Sequence, residues 1–479
     1  MEEPLPLEPL FPDRSSGQPL AEQLTRRLRD AIENGALPAG TKVLGSRQLA
    51  KRLGLGRNTV ALAFEQLSAE GYLESKRGSG TVVAEARFER PRRAPISTAG
   101  RPPQADRIAS LRAHFDDATG RGALRPGMPA LSMFPWKSWN RCVRHAAELE
   151  GNLGYGPASG LRVLREAIAQ HVRQFRGIAA DPEQIVVVEG AQAAMHLAAI
   201  VLARSGDTIA IEDPCYALAR AAFGAAALRL HPVRVDRDGI RSGELPKQAR
   251  FAFLTPTHQF PLGGTLPLVR RLEVLAWAEQ RDAYVLEDDY DSEFTSRVRP
   301  LPALQSLDRN ERVVYIGSFS KTLAPGLRIG YAIAPPHLAS AFRTGRASTS
   351  LGTSIALQAA LAQFVKTGAF ARHLRRMNAA YEERRSALVH ALQPLARRGF
   401  EIGPMQVGLH VALTSKQPFA DRAVASSLEG QRLVALSSLC LKRSDCFGFV
   451  LGFTNGTSEE IARAAGALAG EVAGAPPGK

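Results

Sequence analysis

Residues 315–331 read Tyr-Ile-Gly-Ser-Phe-Ser-Lys-Thr-Leu-Ala-Pro-Gly-Leu-Arg-Ile-Gly-Tyr. Lys321 lies beside the hydroxyls of Ser318 and Ser320, and Arg328 follows seven residues on. That set suits a ligand carrying both an aldehyde and a phosphate. The lysine amine forms a Schiff base with the first, and the hydroxyls and guanidinium hold the second. Pyridoxal 5'-phosphate is therefore the candidate cofactor. The apolar run at 313–316 just ahead reads as a strand, and so do 184–188, 207–211, 252–255 and 284–286. Helical stretches separate these runs, so the pattern predicts an α/β class with a mainly parallel sheet.

The ends of those strands supply further candidates. Glu-Asp-Asp-Tyr-Asp-Ser-Glu-Phe at 287–294 follows one of them. A carboxylate at the carboxyl end of a strand in an open sheet is well placed for a ligand. Asp288 is the candidate partner of a pyridinium nitrogen, and Tyr290 of the ring's phenolic oxygen. Five acids in seven residues also suit a metal, but the lysine 33 residues past Asp288 favours the cofactor, and no metal is expected. Gly190, Ala191 and Gln192 open an alanine-rich helix whose first N–H groups suit a phosphate. The plainer reading of that segment is a tight strand-to-helix turn. Tyr216 is placed to stack on a planar ring, or equally to fill the core. His258 is either a catalytic or ring-contacting group or a structural histidine.

The chain has 479 residues and a net charge of +15, which favours a polyanionic partner. The charge is unevenly spread. Residues 1–90 carry 13 Lys/Arg against 12 Asp/Glu, whereas 86–112 carries seven arginines against two acids. Any DNA contact near the N-terminus must come from local clustering. Four scattered cysteines without a Cys-x-x-Cys argue against a zinc site or disulfide framework and fit a reducing, cytoplasmic setting. No apolar run is long enough to span a bilayer, and the start lacks the layout of a signal peptide, so no membrane partner is expected.

Residues 18–34 read as an amphipathic helix with Leu20, Leu24, Leu28, Ala31 and Ile32 on one face. A short helix is expected from Ser46, as N-cap, to Leu53. A third runs from about Asn58 to Glu70, with Val60, Leu62, Ala63, Phe64 and Leu67 as its apolar set. Residues 72–83 read as two short strands around a basic, glycine-rich tip. Together these predict an α+β winged helix-turn-helix domain over 14–84. Arg47, Lys51, Arg52 and Arg57 cluster with no acid between Arg47 and Phe64. They are candidate phosphate contacts, with Asn58 and Thr59 directed at base edges and Lys76, Arg77 and Gly80 at the wing. Taken singly, each is also consistent with a solvated basic face. An Arg/Pro-rich linker is expected over 85–118. The cofactor-binding domain follows over 119–472, with a smaller α/β subdomain from roughly 365 to 472.

Several phrases carry a family resemblance. Gln18-Pro-Leu-Ala-Glu-Gln-Leu24, Gly35-x-Leu-Pro-x-Gly40, Ser46-Arg-x-Leu-Ala50, Arg57-Asn-Thr-Val60 and Gly78-Ser-Gly-Thr-Val82 resemble the GntR family of bacterial repressors and activators. Two departures are visible. Gly45 precedes Ser46 in a stretch where the family usually reads Leu-Pro-Ser-Ser, and Gly56 stands in place of a serine. Residues from about 120 onward resemble fold-type I aminotransferases. The phrases at 287–294, His258-Gln-Phe-Pro261 and Gly317-Ser-Phe-Ser-Lys321 are similar to the MocR subfamily of GntR regulators.

The resemblance implies a head-to-tail homodimer in which each DNA-binding domain lies over the partner's cofactor domain. It implies that Lys321 carries the internal aldimine, that Asp288 and Tyr290 hold the ring, and that Tyr216 stacks on it. Ser318, Ser320 and Arg328 would bind the phosphate, and Tyr155 would reach the phosphate of the partner subunit. Many related aminotransferases hold a substrate carboxylate with an arginine where this chain has Val450, and an asparagine where it has Phe260. Arg443 and Arg432 are the candidate replacements. The expected function is a regulator that binds a double-stranded DNA operator and senses pyridoxal phosphate, or an amine through an external aldimine. The alternative is an aminotransferase with an appended DNA-binding domain. No catalytic turnover is expected from the first reading.

Overall fold

The computed structural model describes residues 10–76, 80–85, 108, 122–148, 154–295 and 302–474. The side chain of Lys76, all of Arg77, and the expected linker apart from Glu85 and Ile108 lie outside them. The chain divides into two compact units, Met1–Pro102 and Pro103–Lys479.

The first unit holds α1 (Leu20–Glu33), α2 (Ser46–Leu53), α3 (Arg57–Ala69) and a hairpin of β1 (Leu73–Lys76) and β2 (Gly80–Val83). Leu24, Leu28, Leu49, Val60, Leu67 and Val83 meet in its core. Each such side chain contributes about 1.5–3 kcal/mol on burial. Gly54, at φ 63°, ends α2 in the left-handed conformation and so makes the turn into α3. Arg14 braces that turn by donating to Gly54 O at 2.6 Å. Arg29 grips Glu70 with both Nε and Nη2, fastening α1 to the end of α3.

Two expectations are corrected here. Ser46 is the first helical residue of α2 rather than its N-cap; the carbonyl of Gly45 accepts the opening helical bonds from Gln48 and Leu49. Leu62 does not join the buried face of α3. It is 58% exposed, because the helical period that turns Val60, Ala63, Phe64 and Leu67 inward carries it to the opposite side.

The second unit is an α/β structure. In chain order come α4 (Trp136–Ala147), α5 (Arg162–Arg176), β3 (Ile185–Val188), α6 (Ala191–Leu202), β4 (Thr208–Asp213), α7 (Ala217–Ala225), β5 (Arg229–Asp236) and β6 (Gly239–Ile240). Then follow β7 (Phe251–Leu254), α8 (Leu268–Gln280), β8 (Tyr284–Asp289), β9 (Val313–Ser318), β10 (Gly330–Ile333), α9 (Ala339–Thr349), α10 (Ile355–Lys366) and α11 (Ala369–Ala396). The last elements are β11 (Phe400–Ile402), β12 (His410–Ser415), α12 (Asp421–Ser427), β13 (Val434–Ala435), β14 (Phe447–Gly452) and α13 (Ser458–Gly474).

Among the described residues the larger sheet runs β3-β10-β9-β8-β7-β4-β5-β6. Its centre, from β9 through β5, is parallel, and only β10 and β6 run against it. Strands β3, β4, β7 and β8 are almost continuously buried, as a sheet covered on both faces requires. A second, antiparallel sheet has the order β11-β12-β14-β13. The parallel strands place their carboxyl ends, and the loops that follow, along one edge of the larger sheet. That edge gathers Tyr216, His258, Tyr290 and Lys321.

Candidate cofactor and nucleic-acid sites

Lys321 lies three residues beyond β9. Its Nζ donates to Gly127 O at 2.5 Å. Gly127 has φ +71°, and a Cβ there would stand 3.0 Å from Nζ, so the glycine leaves room for the amine. Burial lowers the Lys321 amine below its ordinary value, opposed by Asp291 and Asp288. A less strongly held proton leaves more of the amine nucleophilic.

Asp288, near the end of β8, is buried, and its Oδ1 has no hydrogen-bond partner. Burial, then Asp289, push its carboxyl up to about 8, while Lys321 pulls the other way. A buried acceptor of this kind is costly unless a donor arrives. Asp289, the next residue, is bound by Arg176, which also donates to Thr257 Oγ1 at 2.6 Å. Tyr315 donates its hydroxyl to Asp289 at 2.6 Å. Glu212, at the next strand but one, receives the Thr255 hydroxyl at 2.6 Å, and its burial raises it to about 7.

A cradle lies where β3 and β9 flank β10. Gly330 pairs with both Val188 and Ser318. Ser318 Oγ donates to Ser320 Oγ at 3.0 Å. Gly190, at φ +92°, caps α6, so Ala191 and Gln192 form its first turn. The Arg328 guanidinium lies against Gly190 and donates to Glu189 O. Gln192 Nε2 donates to Leu218 O at 2.8 Å, while its Oε1 is buried without a partner. A helix start, two hydroxyls and a guanidinium are groups suited to an anion.

Tyr216 caps α7 and packs edge-on against Phe260, with ring centroids 5.7 Å apart. The Tyr290 hydroxyl donates to His258 O at 3.0 Å and lies 3.0 Å from His258 Nδ1. His258 Nδ1 in turn lies 3.0 Å from Asp291. His410, from the second sheet, stacks near both rings. Donor atoms of His258, Asp291 and His410 lie within 4.8 Å of one another, close enough for a metal. His258 Nδ1 is engaged by Asp291, however, and His410 Nε2 by Pro261 O at 3.1 Å.

The fit to pyridoxal phosphate can be judged from these groups. The lone Asp288 oxygen awaits a donor such as a pyridinium N–H. The Lys321 amine rests on a single carbonyl, and the cradle holds neutral and cationic donors suited to a phosphate. The residues present fit the group.

The surroundings of Val450 are apolar. Val450 is fully buried in an apolar cluster with Leu436, Leu439 and Cys446, against which Phe260 and Ala217 pack. Arg443 holds Asp445 at 2.8 Å and donates to Val235 O, and Arg432 pairs with Glu429 at 3.5 Å. These contacts turn both arginines to other partners. Tyr155 is 92% exposed.

In the first unit, Arg47, Lys51, Arg52, Arg57 and Asn58 are all exposed, and Thr59 is half-buried in the first turn of α3. The four cations make no ion pair among the described residues, leaving their charge available to an anion. Gly80 begins β2, and a Cβ there would lie 3.7 Å from Lys42. Lys42, which pairs with Val82, thus stands beside the wing. Sequence reasoning missed it because it lies outside any helical or strand run. It also missed Gly127, Arg176, Asp291 and His410. Only Asp291, in the acidic phrase at 287–294, had a local signal.

Residues 20–83 match the family described as bacterial regulatory proteins, gntR family, and residues 131–467 match aminotransferase class I and II. The probable rhizopine catabolism regulatory protein MocR of Rhizobium meliloti is 38% identical over 425 residues, covering 88% of this chain and 86% of that protein. The HTH-type pyridoxine biosynthesis transcriptional regulator PdxR of Corynebacterium glutamicum is 32% identical, covering 90% of this chain and 91% of its own length. Among solved structures, LysN, an alpha-aminoadipate aminotransferase from Thermus thermophilus complexed with N-(5'-phosphopyridoxyl)-L-leucine, superposes with a TM-score of 0.70. It is 26% identical, and the match covers 78% of this chain and 97% of that one.

Proposed function

This chain belongs to the MocR-type branch of the GntR family, and from that premise we propose that it is a DNA-binding transcription regulator. Its second unit binds pyridoxal phosphate and uses it to sense the cofactor itself or a small amine. The observation that carries this reading is the contrast within that unit. Lys321, the unpartnered Asp288 oxygen and the Ser318–Arg328 cradle suit the cofactor, whereas Val450 lies in an apolar cluster at the position where the aminotransferase resemblance implies a carboxylate-binding arginine.

Pyridoxal phosphate, when bound, supplies an aldehyde for amines and a ring that takes up electrons. The chain's own residues do the rest. Lys321 offers a buried amine, and Asp288 offers an acceptor without a partner. Ser318, Ser320, Arg328 and the start of α6 bind the anionic end. Tyr216 and Phe260 form an aromatic wall. An effector acts by favouring one of two arrangements that differ in DNA affinity.

In the first unit, Arg47, Lys51, Arg52 and Arg57 neutralise backbone phosphates, and Asn58 and Thr59 read base edges from the start of α3. The wing residues Lys76, Arg77 and Gly80 contact the adjacent backbone. We read the working species as a head-to-tail homodimer with Tyr155 reaching across. The exposure of Tyr155, Trp136 (62%) and Leu351 (63%) supports this reading. Retention of Lys321 and Asp288 leaves slow half-reactions chemically open, but not efficient turnover.

The test pairs two measurements. Loaded wild-type protein should show a visible absorption band that Lys321→Ala abolishes, and its affinity for the DNA upstream of its own neighbouring genes should change with pyridoxal phosphate or an added amine. Rapid multiple-turnover transamination of amino acids with keto acids would instead establish the enzyme reading.

A further inference from the structure

Tyr290 is held from behind by residues that come from two different sheets. Its hydroxyl donates to His258 O, and His258 Nδ1 lies 3.0–3.1 Å from both oxygens of Asp291. Asp291 also accepts the Leu409 N–H at 3.1 Å, and Gly408 N donates to Phe294 O at 2.7 Å. His410, which opens β12, donates Nε2 to Pro261 O at 3.1 Å. Its ring lies 4.5 Å from that of His258 and is nearly parallel to Tyr290, at 19°. Gly408 fixes how close the segment comes: a Cβ there would stand 2.1 Å from the His258 ring and 2.6 Å from Asp291 Oδ2. The segment 408–410 therefore presses main chain directly against the His258–Asp291 pair.

We propose that Asp291 and His410 are positioning residues for the cofactor: Asp291 fixes the His258 ring behind the Tyr290 hydroxyl, and His410 ties that pair to the second sheet. This rests on the cofactor reading given above. The chemistry follows from the donors. Asp291 accepts the Nδ1–H of His258, which sets the ring's orientation. Burial holds the Tyr290 hydroxyl well above its ordinary value, so it stays a donor. Its proton goes to the His258 carbonyl, beside His258 Nδ1, and can turn to an oxygen of a bound ring. Burial, then His258, keep His410 well below its ordinary value, so its Nε2–H remains a neutral donor to Pro261. Displacement of β12 would release Leu409 from Asp291 and His410 from Pro261 together. Tyr290 would then lose its support, so a movement of the second sheet is felt at the cofactor ring.

The experiment uses full-length protein loaded with pyridoxal phosphate and reads the pH midpoint between its two principal absorption bands. Tyr290→Phe, Asp291→Asn and the double variant form one cycle. The expected result is a midpoint shift of about half a unit or more, a roughly threefold change in proton affinity, for each single variant. The double variant should shift no further than the larger single one, since both act through one hydroxyl. His410→Ala should behave like Asp291→Asn, while His410→Gln, which can still donate to Pro261 O, should stay near wild type. If Asp291→Asn does not fold, the Ala and Gln pair at 410 carries the same comparison. Additive shifts, or a wild-type midpoint in both Asp291→Asn and His410→Ala, overturn the proposal alone. A wild-type protein without any Lys321-dependent band overturns the cofactor reading and the proposal with it.

Discussion

Arg176 and Asp289 are joined at 2.6 Å with each side chain only 2% exposed. Burial would pull the guanidinium down, but Asp289, Tyr315 and Glu287 hold it above its ordinary value. Asp289 follows Asp288 at the end of β8 and raises its carboxyl. Removing one partner leaves the other charge buried and unpaired, which costs about 3–5 kcal/mol, whereas replacing both with apolar groups is far milder. Arg176→Met should therefore lower the melting temperature of the ligand-free protein more than the Arg176→Met, Asp289→Leu double variant does. Equal or reversed losses would show that this pair does not carry the strain.

The pH dependence of the ligand-free protein should be set partly by Asp288. Its folded pKa of about 8 lies above the ordinary 3.8. Between those values the folded chain holds a proton that the unfolded chain releases. Stability must then fall as pH rises from about 4 to about 8 and level off beyond. Glu212, raised to about 7, acts in the same direction. Asp288→Asn should narrow the gap between melting temperatures measured near pH 5 and near pH 8, and an unchanged gap counts against the raised carboxyl.

For DNA, Arg47 and Arg57 are exposed and make no ion pair among the described residues, and the proposed function assigns each to a backbone phosphate. Alanine at either position should weaken binding across sequences alike and reduce the slope of log affinity against log salt by about one. Asn58→Ala should instead relax sequence preference by about 1–3 kcal/mol at one position with little change in the salt slope. Competition with unrelated duplex at several salt concentrations separates the two outcomes.

Val450 tests whether the apolar wall is a vacant clamp site or a packed core. Val450→Arg would push a guanidinium into the cluster of Leu436, Leu439 and Cys446, where nothing compensates its desolvation. The expected result is a lower melting temperature and no gain in transamination. A stable variant that turns over amino acids would mean the wall opens to the substrate side.

Much of this molecule was legible along the chain, for identifiable reasons. Lys321 with its serines, and Asp288 with Tyr290, sit in short phrases because a strand end delivers neighbouring residues to one spot. The helices of the first unit showed through a single repeating period, and that same period, applied more strictly, would have turned Leu62 outward. Ser46 misled because a serine before a helical run usually caps it, while here Gly45 occupies that place. Arg176, Gly127 and His410 could not be read. Each reaches the site from a distant segment, and nothing within its own neighbourhood marks it. Val450 was legible as a substitution, but only packing shows that the space it leaves is filled rather than empty.

Gly330 lies between Val188 and Ser318, and a Cβ on it would stand 2.7 Å from Gly190 Cα and 3.0 Å from Gly317 O. The two walls of the anion cradle are thus spaced by main chain alone. No change of rotamer can widen or narrow the main-chain gap between Gly190 and β9. The main-chain frame is therefore a gauge of fixed width, within which only the serine hydroxyls and the Arg328 guanidinium can adjust, and widening the frame itself requires an entire strand to give way.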